Sequence, residues 1–498
     1  MSGVTIVFSA LHDLFSVTDR VRQTKRTSVV SFVALVCISH SCLAATELPD
    51  LGDSSAAVIS DSEQQALGKE FMRGALKQFQ FVSDPELTTY LRELGNSLVA
   101  NSESPTDSFQ FFLIDNPDLN AFAVPGGFIS VHTGLIMATE SESELAAVLS
   151  HEIAHISQRH LPRMIAAAKR QSLPATAALV GAILLGGQAG AAALAATNAA
   201  LLESQLRFTR GFEREADNLG IRTLAKSDYD PTAMARFFGR LANATRLNES
   251  SAPEFLRTHP LSTNRIADSQ ARALDYASVP PGPDVAFHHI RAKIRATLAG
   301  DATRTATQFA ENIKKGDYKN ENAEHYGYTL ALAASSQYDQ ALKEIDSLIK
   351  AHPDTLSYHI ARSHIQMAAG KFEQALNSLN NAIEKFPDSG LLQQYYADAL
   401  LKTNNAEQAK PILSKQIRRE PDNPDLRKMM ARAAGETGAT AESYQALAEY
   451  YYLLYDLDAA LEQLHTASEH VGDSFYLKSS IDARIEELQT EKARVNDK

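Results

Sequence analysis

The stretch SHEIAHISQRH, residues 150–160, holds three histidines and a glutamate. The segment just before it, ESELAAVL (142–149), consists of good helix formers with no Gly or Pro, so a helix is expected to run through the histidines. Residues four apart on a helix lie about 40° apart around the axis and ~6 Å apart along it. His151 and His155 therefore share a face and can grip one ion, and Glu152, one position round, reaches a water on that ion. His160 falls roughly 180° from His151 at about 100° per residue and is expected to point elsewhere. The pattern is H-E-x-x-H, the spacing of zinc hydrolases.

Zinc in such a site needs a third protein ligand and an open position for water. A third histidine ten residues after the first is one solution, but that position is Leu161. A carboxylate from a second helix is the other. FTRGFEREADNLGIRTL (208–224) offers Glu213 and Asp217, four apart on one face, while Glu215 points away. Glu213 is read as the third ligand, and Asp217 as the acceptor that holds a ligand histidine by its other ring N–H. Two neutral imidazoles and one carboxylate leave Zn²⁺ a net charge of about +1, enough to bring the pKa of its water towards ~7. Glu152 is the general base that takes the water's proton and later delivers it to the leaving amine. His259, in THPLSTNRIADS (258–269), precedes Pro260 and so lies on extended chain. It is read as reaching the metal region, as an oxyanion donor or an occluding fourth ligand; the alternative is a plain helix-entry turn, with Ser262 or Thr263 capping a helix over Arg265–Ala273.

Other elements must position these groups. SDSEQQALGKEFMRGALKQF (60–79) reads as an opening helix capped near Asp61 or Ser62. FQFFLIDNP (109–117) reads as a strand entering a turn. NAFAVPGGFISVHTGLI (120–136) reads as β-rich chain bent at Pro125-Gly126-Gly127. It is either an edge strand that holds an extended substrate along 124–131 or an ordinary hairpin beneath the zinc helix. Residues 173–206 carry no charge until Glu203. They are weak beside a span of about 20 strongly apolar residues and are expected to form buried or lid-like helices, with peripheral membrane contact as the alternative.

The 498-residue chain is long enough for two or three domains, and its net charge of −12 argues against nucleic acid as a main partner. Arg20, Arg22, Lys25 and Arg26 precede the apolar run SVVSFVALVCIS and then HSCLAA. This reads as an export signal cleaved after Ala44. Cys37 and Cys42 both lie inside it, so the mature chain uses no disulfides. Cleavage removes four basic and two acidic residues, taking the charge from −12 to −14. After the proline-rich SVPPGPD (278–284) the pattern becomes periodic. YDQAL at Tyr338, FEQAL at Phe372 and AEQAK at Ala406 recur every 34 residues, as do Pro353, Pro387 and Pro421. That is the signature of tetratricopeptide repeats, with Ala341, Ala375 and Ala409 where paired helices cross. LDAAL from Leu457 is read as part of a capping pair, and the tyrosines of EYYYLLY (449–455) as core of the last helices, with the lining of a groove as the alternative.

HEIAH, FEREAD, NAFAVPGG and HPLSTNRIAD, followed by such repeats, resemble the M48 family of zinc metallopeptidases. The resemblance implies zinc on His151, His155 and Glu213, with Glu152 as base. It implies a mainly α fold: a gluzincin-type domain of helices with a small sheet, then a repeat solenoid. It also implies a periplasmic zinc metalloendopeptidase of a Gram-negative bacterium that assists assembly of outer-membrane proteins and degrades stalled or misfolded ones. The repeats would bind those clients or the assembly machinery. The rival reading is a chaperone or scaffold whose zinc site is mostly occluded. The expected layout is signal 1–44, metalloprotease domain 45–277, linker and leading helix 278–317, and repeats 318–490.

Overall fold

The computed structural model describes residues 59–104, 108–170, 199–247, 253–277, 279, 284–298 and 300–496. The export segment lies outside them, as does residues 173–198 of the uncharged stretch, so the lid expectation falls outside the described residues. No helix among the described residues is long and apolar enough to cross a membrane.

The first helix, α1 (Asp61–Gln78), is capped one residue earlier than expected: Ser60 and Glu63 form a reciprocal capping box. Next come α2 (Pro85–Ala100), β1 (Gln110–Ile114), β2 (Ala121–Val124) and β3 (Phe128–His132). The sheet order is β1-β3-β2, with β3 parallel to β1 and antiparallel to β2. The expected substrate-bearing edge along 124–131 is therefore corrected. Phe128–His132 is the central strand and its backbone is used on both sides, while β2 is an edge without a further strand among the described residues.

Gly126 and Gly127, both at φ 87°, make the β2–β3 turn, a backbone region open to glycine at little cost. A Cβ on Gly127 would also sit 2.0 Å from the Ser108 carbonyl oxygen. Gly127→Ala is expected to destabilise by about 1–3 kcal/mol through strain and overpacking, read as a lower urea midpoint.

After α3 (Thr133–Ala138) comes α4 (Glu142–Ser157), which carries HEIAH. Every residue from Glu144 to Ala154 is buried, the mark of a helix surrounded by protein. Its Leu145, Leu149 and Ile153 join Leu87 and Leu91 of α2 and Ile129 and Val131 of β3 in one core, which apolar residues from four of the five helices that follow, all but the first, complete. Those helices are α5 (His160–Arg170), α6 (Ala199–Lys226), α7 (Ala233–Leu247), α8 (Glu254–Thr258) and α9 (Thr263–Ala273). Ile221 and Leu224 of α6 and Phe237 and Phe238 of α7 complete the core.

Two more helices, α10 (Val285–Thr297) and α11 (Ala302–Lys315), lead into helix pairs. These are α12 (Glu321–Ala334) with α13 (Tyr338–Ala351), α14 (Leu356–Ala368) with α15 (Phe372–Lys385), and α16 (Gly390–Lys402) with α17 (Ala406–Arg419). Then follow α18 (Pro424–Glu436) with α19 (Thr440–Leu453), and α20 (Leu457–Glu469) with α21 (Phe475–Asn496). Helices begin at Tyr338, Phe372 and Ala406, on the 34-residue period, and Ala341, Ala375 and Ala409 are fully buried.

The solenoid rests on the first domain through buried polar groups. Lys293 Nζ of α10 meets Glu86 Oε2 at 2.6 Å and Asp84 Oδ1 at 2.8 Å, at the capped start of α2. The Tyr326 hydroxyl donates to the same Glu86 oxygen at 3.3 Å. Tyr455 departs from the expectation that its cluster only packs the last helices: its ring stands edge-on to Phe128 and its hydroxyl donates to Gln110 Oε1 at 2.6 Å. Lys69 of α1 pairs with Glu491 of α21 at 2.8 Å.

Candidate metal centre

Helix α4 presents His151 and His155 on one face, as their spacing requires. Helix α6 crosses it and delivers Glu213, and His259 arrives at the C-terminal end of α8, stacked on Phe255 with ring centroids 4.7 Å apart. His151 Nε2 lies 3.0 Å from His155 Nε2 and 3.2 Å from His259 Nδ1. Glu213 oxygens lie 3.1 Å from His259 Nδ1, 3.4 Å from His155 Nε2 and 3.4 Å from His151 Nε2. One donor atom from each of these four residues falls within 4.8 Å of all the others.

Three features fit a divalent metal. A tetrahedron with bonds of about 2.0–2.1 Å has edges of roughly 3.3 Å, close to the separations above. Imidazole nitrogens that face one another at 3.0–3.2 Å need a proton or a cation between their lone pairs. Finally, Glu152, Glu213 and Asp217 are buried carboxylates served by one buried guanidinium, Arg265. Unless the imidazoles protonate, that leaves two negative charges inside the protein, which a dication neutralises.

Electrostatics follow from that crowding. Burial alone would raise the Glu213 carboxyl, but His259, His151 and His155 hold it well below the usual carboxylate range. Burial likewise opposes ionisation of Asp217, and Arg265 and His151 hold it down. Against its burial, His151 is lifted to about 10 by Asp217 and Glu213. Ligation through His151 Nε2 would require that proton to leave.

Asp217 Oδ1 sits 3.0 Å from His151 Nδ1, behind the ligand face. Glu152 is buried beside the cluster and its Oε1 accepts no hydrogen bond among the described residues; His259 Nε2 lies 3.4 Å from that oxygen. Ser262 caps α9, so the helix-start reading of HPLST holds alongside the presence of His259 in the cluster.

Two residues escape the spacing analysis. Arg265 pairs with Asp217 through Nε at 2.8 Å and Nη2 at 2.7 Å, and with Glu213 through Nη1 at 2.8 Å. Its guanidinium also donates to the Pro260 carbonyl at 2.9 Å. Its signal was its place in HPLSTNR, one turn after the cap, but nothing in helical periodicity links it to carboxylates on α6. His160, expected to point away from the site, instead lies with Nδ1 2.9 Å from Nδ1 of His155. The reason is Arg159, whose φ of 52° ends α4 and restarts the chain as α5, so angles counted along one continuous helix do not apply.

A model of peptidase family M48 matches residues 85–273, and a tetratricopeptide-repeat model matches residues 366–433. The chain is 33% identical over 344 residues to the beta-barrel assembly-enhancing protease of Escherichia coli K12, covering 68% of this chain and 70% of that one. Its Vibrio cholerae counterpart is 39% identical over 333 residues, covering 65% of this chain and 69% of the other. The mitochondrial metalloendopeptidase OMA1 of Bos taurus is 30% identical over 229 residues, 43% of this chain and 42% of that protein.

Proposed function

We propose, from the premise that this chain belongs to peptidase family M48 and is a metalloendopeptidase, that it is a periplasmic zinc enzyme acting on misfolded or stalled outer-membrane proteins and assisting their assembly. The observation that carries the reading is the convergence of His151, His155, Glu213 and His259 on one point, with the Glu152 carboxylate beside it. His151, His155 and Glu213 are the zinc ligands. When bound, zinc supplies Lewis-acid chemistry, polarising a peptide carbonyl and acidifying water.

Glu152, buried and with its Oε1 unbonded among the described residues, accepts the proton of the attacking water and hands it to the leaving amine. Asp217 fixes the His151 ring by its Nδ1, and Arg265 keeps Asp217 ionised and pairs with Glu213. The unpaired edge of β2, which packs against α4, accepts an extended client by strand addition. Names of the relatives support the client class, and the repeats, a scaffold for protein contacts, bind clients or the assembly machinery. The division into signal 1–44, protease 45–277, connecting segment 278–317 and repeats 318–490 belongs to the same reading.

Purified mature protein incubated with an unfolded outer-membrane protein tests it. Fragments that vanish with a chelator are expected. Suppressed aggregation without fragments would replace the enzyme by the binder.

The position of His259 favours a second state. Its Nδ1 sits among the ligand atoms and its Nε2 towards Glu152, a fourth donor filling the position that water needs. His259→Ala is expected to raise cleavage severalfold by opening that position. An oxyanion role for His259 predicts the opposite sign, and initial rates on the same client decide between them.

A further inference from the structure

Resting on the metal reading above, we propose that His160 is a positioning residue of the metal site, holding the ligand His155 from behind and anchoring it to Glu215 and Arg163. His155 turns Nε2 towards the ligand cluster, so its proton resides on Nδ1 whenever Nε2 ligates. That N–H meets His160 Nδ1 at 2.9 Å, which must then be the acceptor. The His160 proton is thereby placed on Nε2, which donates to Glu215 Oε2 at 3.3 Å. Arg163 Nη1 donates to the same oxygen at 3.0 Å. Every ring nitrogen in the row has one role, and a single tautomer of each imidazole satisfies them all.

The fold holds the row in place. Arg159, at φ 52°, is a non-glycine residue in the left-handed region, a conformation retained only where surroundings demand it. It reverses the chain so that the first residue of α5 comes back against α4. The His160 ring then stacks on Phe212 at 4.3 Å with planes 21° apart, and the Arg163 guanidinium lies 4.6 Å from the same ring. Phe212 and Glu215 stand on α6 beside the ligand Glu213, so one helix supplies a ligand and the support of another ligand.

The two histidines of the motif are therefore supported unequally. His151 has a buried carboxylate, Asp217, directly behind it. His155 has a neutral imidazole first and a carboxylate only beyond it, on Glu215, whose side chain is 36% exposed. A filler at this position would need only to cover Phe212, which an apolar ring does as well.

That difference sets the experiment. Zinc dissociation constants by chelator competition, and visible spectra of the Co²⁺-substituted full-length chain, compare the parent with His160→Phe, His160→Gln and Glu215→Ala. The Phe variant keeps the stack and loses the hydrogen bonds; it is expected to bind zinc about 10- to 100-fold more weakly with displaced cobalt bands. The Gln variant, which can accept and donate, is expected to recover most of the affinity. Parental affinity and spectrum in the Phe variant would overturn the role. If the Phe variant does not fold, Glu215→Ala decides: severalfold weaker zinc binding is expected, and unchanged binding overturns the role. A parent chain that binds no zinc removes the metal reading itself, a failure distinct from a zinc-loaded parent beside an unaffected Phe variant.

Discussion

Glu152→Gln is expected to keep one zinc per chain and to lose about 10²- to 10⁴-fold in peptide cleavage, the range that a positioned acid–base group contributes. The separation of the two effects follows from geometry. Glu152 is outside the converging donor set, so its charge is not needed to hold the metal. Glutamine matches the buried carboxylate in size, and at Oε1, which has no hydrogen bond among the described residues, an amide cannot take up a proton. Zinc stoichiometry and initial rates on an unfolded outer-membrane protein, measured on the same preparation, check the outcome. Undiminished cleavage would remove Glu152 as base.

The second large effect belongs to Arg265. Arg265→Met is expected to destabilise the metal-free protein by about 3–5 kcal/mol, the usual result of stripping one partner from a buried ion pair. Asp217 loses both of its guanidinium contacts and Glu213 loses one. Lysine is a poor replacement, because a single ammonium cannot reproduce the planar fork that spans two carboxylates. The pH dependence has a definite sign. Both carboxyls are depressed in the folded state, so their stabilisation is present above the ordinary carboxylate range and is lost as pH falls through their depressed values. Without Arg265 the Asp217 value rises, and acid unfolding begins at a higher pH. Zinc should restore part of the loss by replacing the missing positive charge. Urea unfolding with and without zinc, across an acid series, measures all three effects, and a variant as stable as the parent would show that Arg265 does not carry this burden.

How far the sequence reached depended on whether a relation was local. The partnership of His151 with His155, and of Glu213 with Asp217, is a property of one helix each and could be read from four-residue spacing. The repeat helices begin at Tyr338, Phe372 and Ala406 because a 34-residue period is local in the same sense. Arg265 was invisible in its role because it reaches across 48 residues to Asp217, and an ion pair between elements leaves no periodic trace. His160 was misplaced because a single left-handed residue resets the helical phase. The segment 120–136 reads as β-rich with an edge strand and a hairpin both open, but strand order in a sheet depends on which chain comes to lie alongside; β2 and β3 form the hairpin, and β1 takes the side of β3 that the edge-strand alternative leaves free.

Lys293 with Glu86 and Asp84 fastens the solenoid's leading helix to the first domain, while Tyr455 and Glu491 fasten its far end. Releasing the first clamp strands the buried Lys293 and Glu86 charges, so the array does not come away from that end at little cost. Unfolding of the peptidase is thereby coupled to the leading helix of the array. A cation binding only the native form raises the free energy of unfolding for everything that unfolds with it, so occupancy of the catalytic pocket would be felt as resistance to heat in helices that never touch the ion.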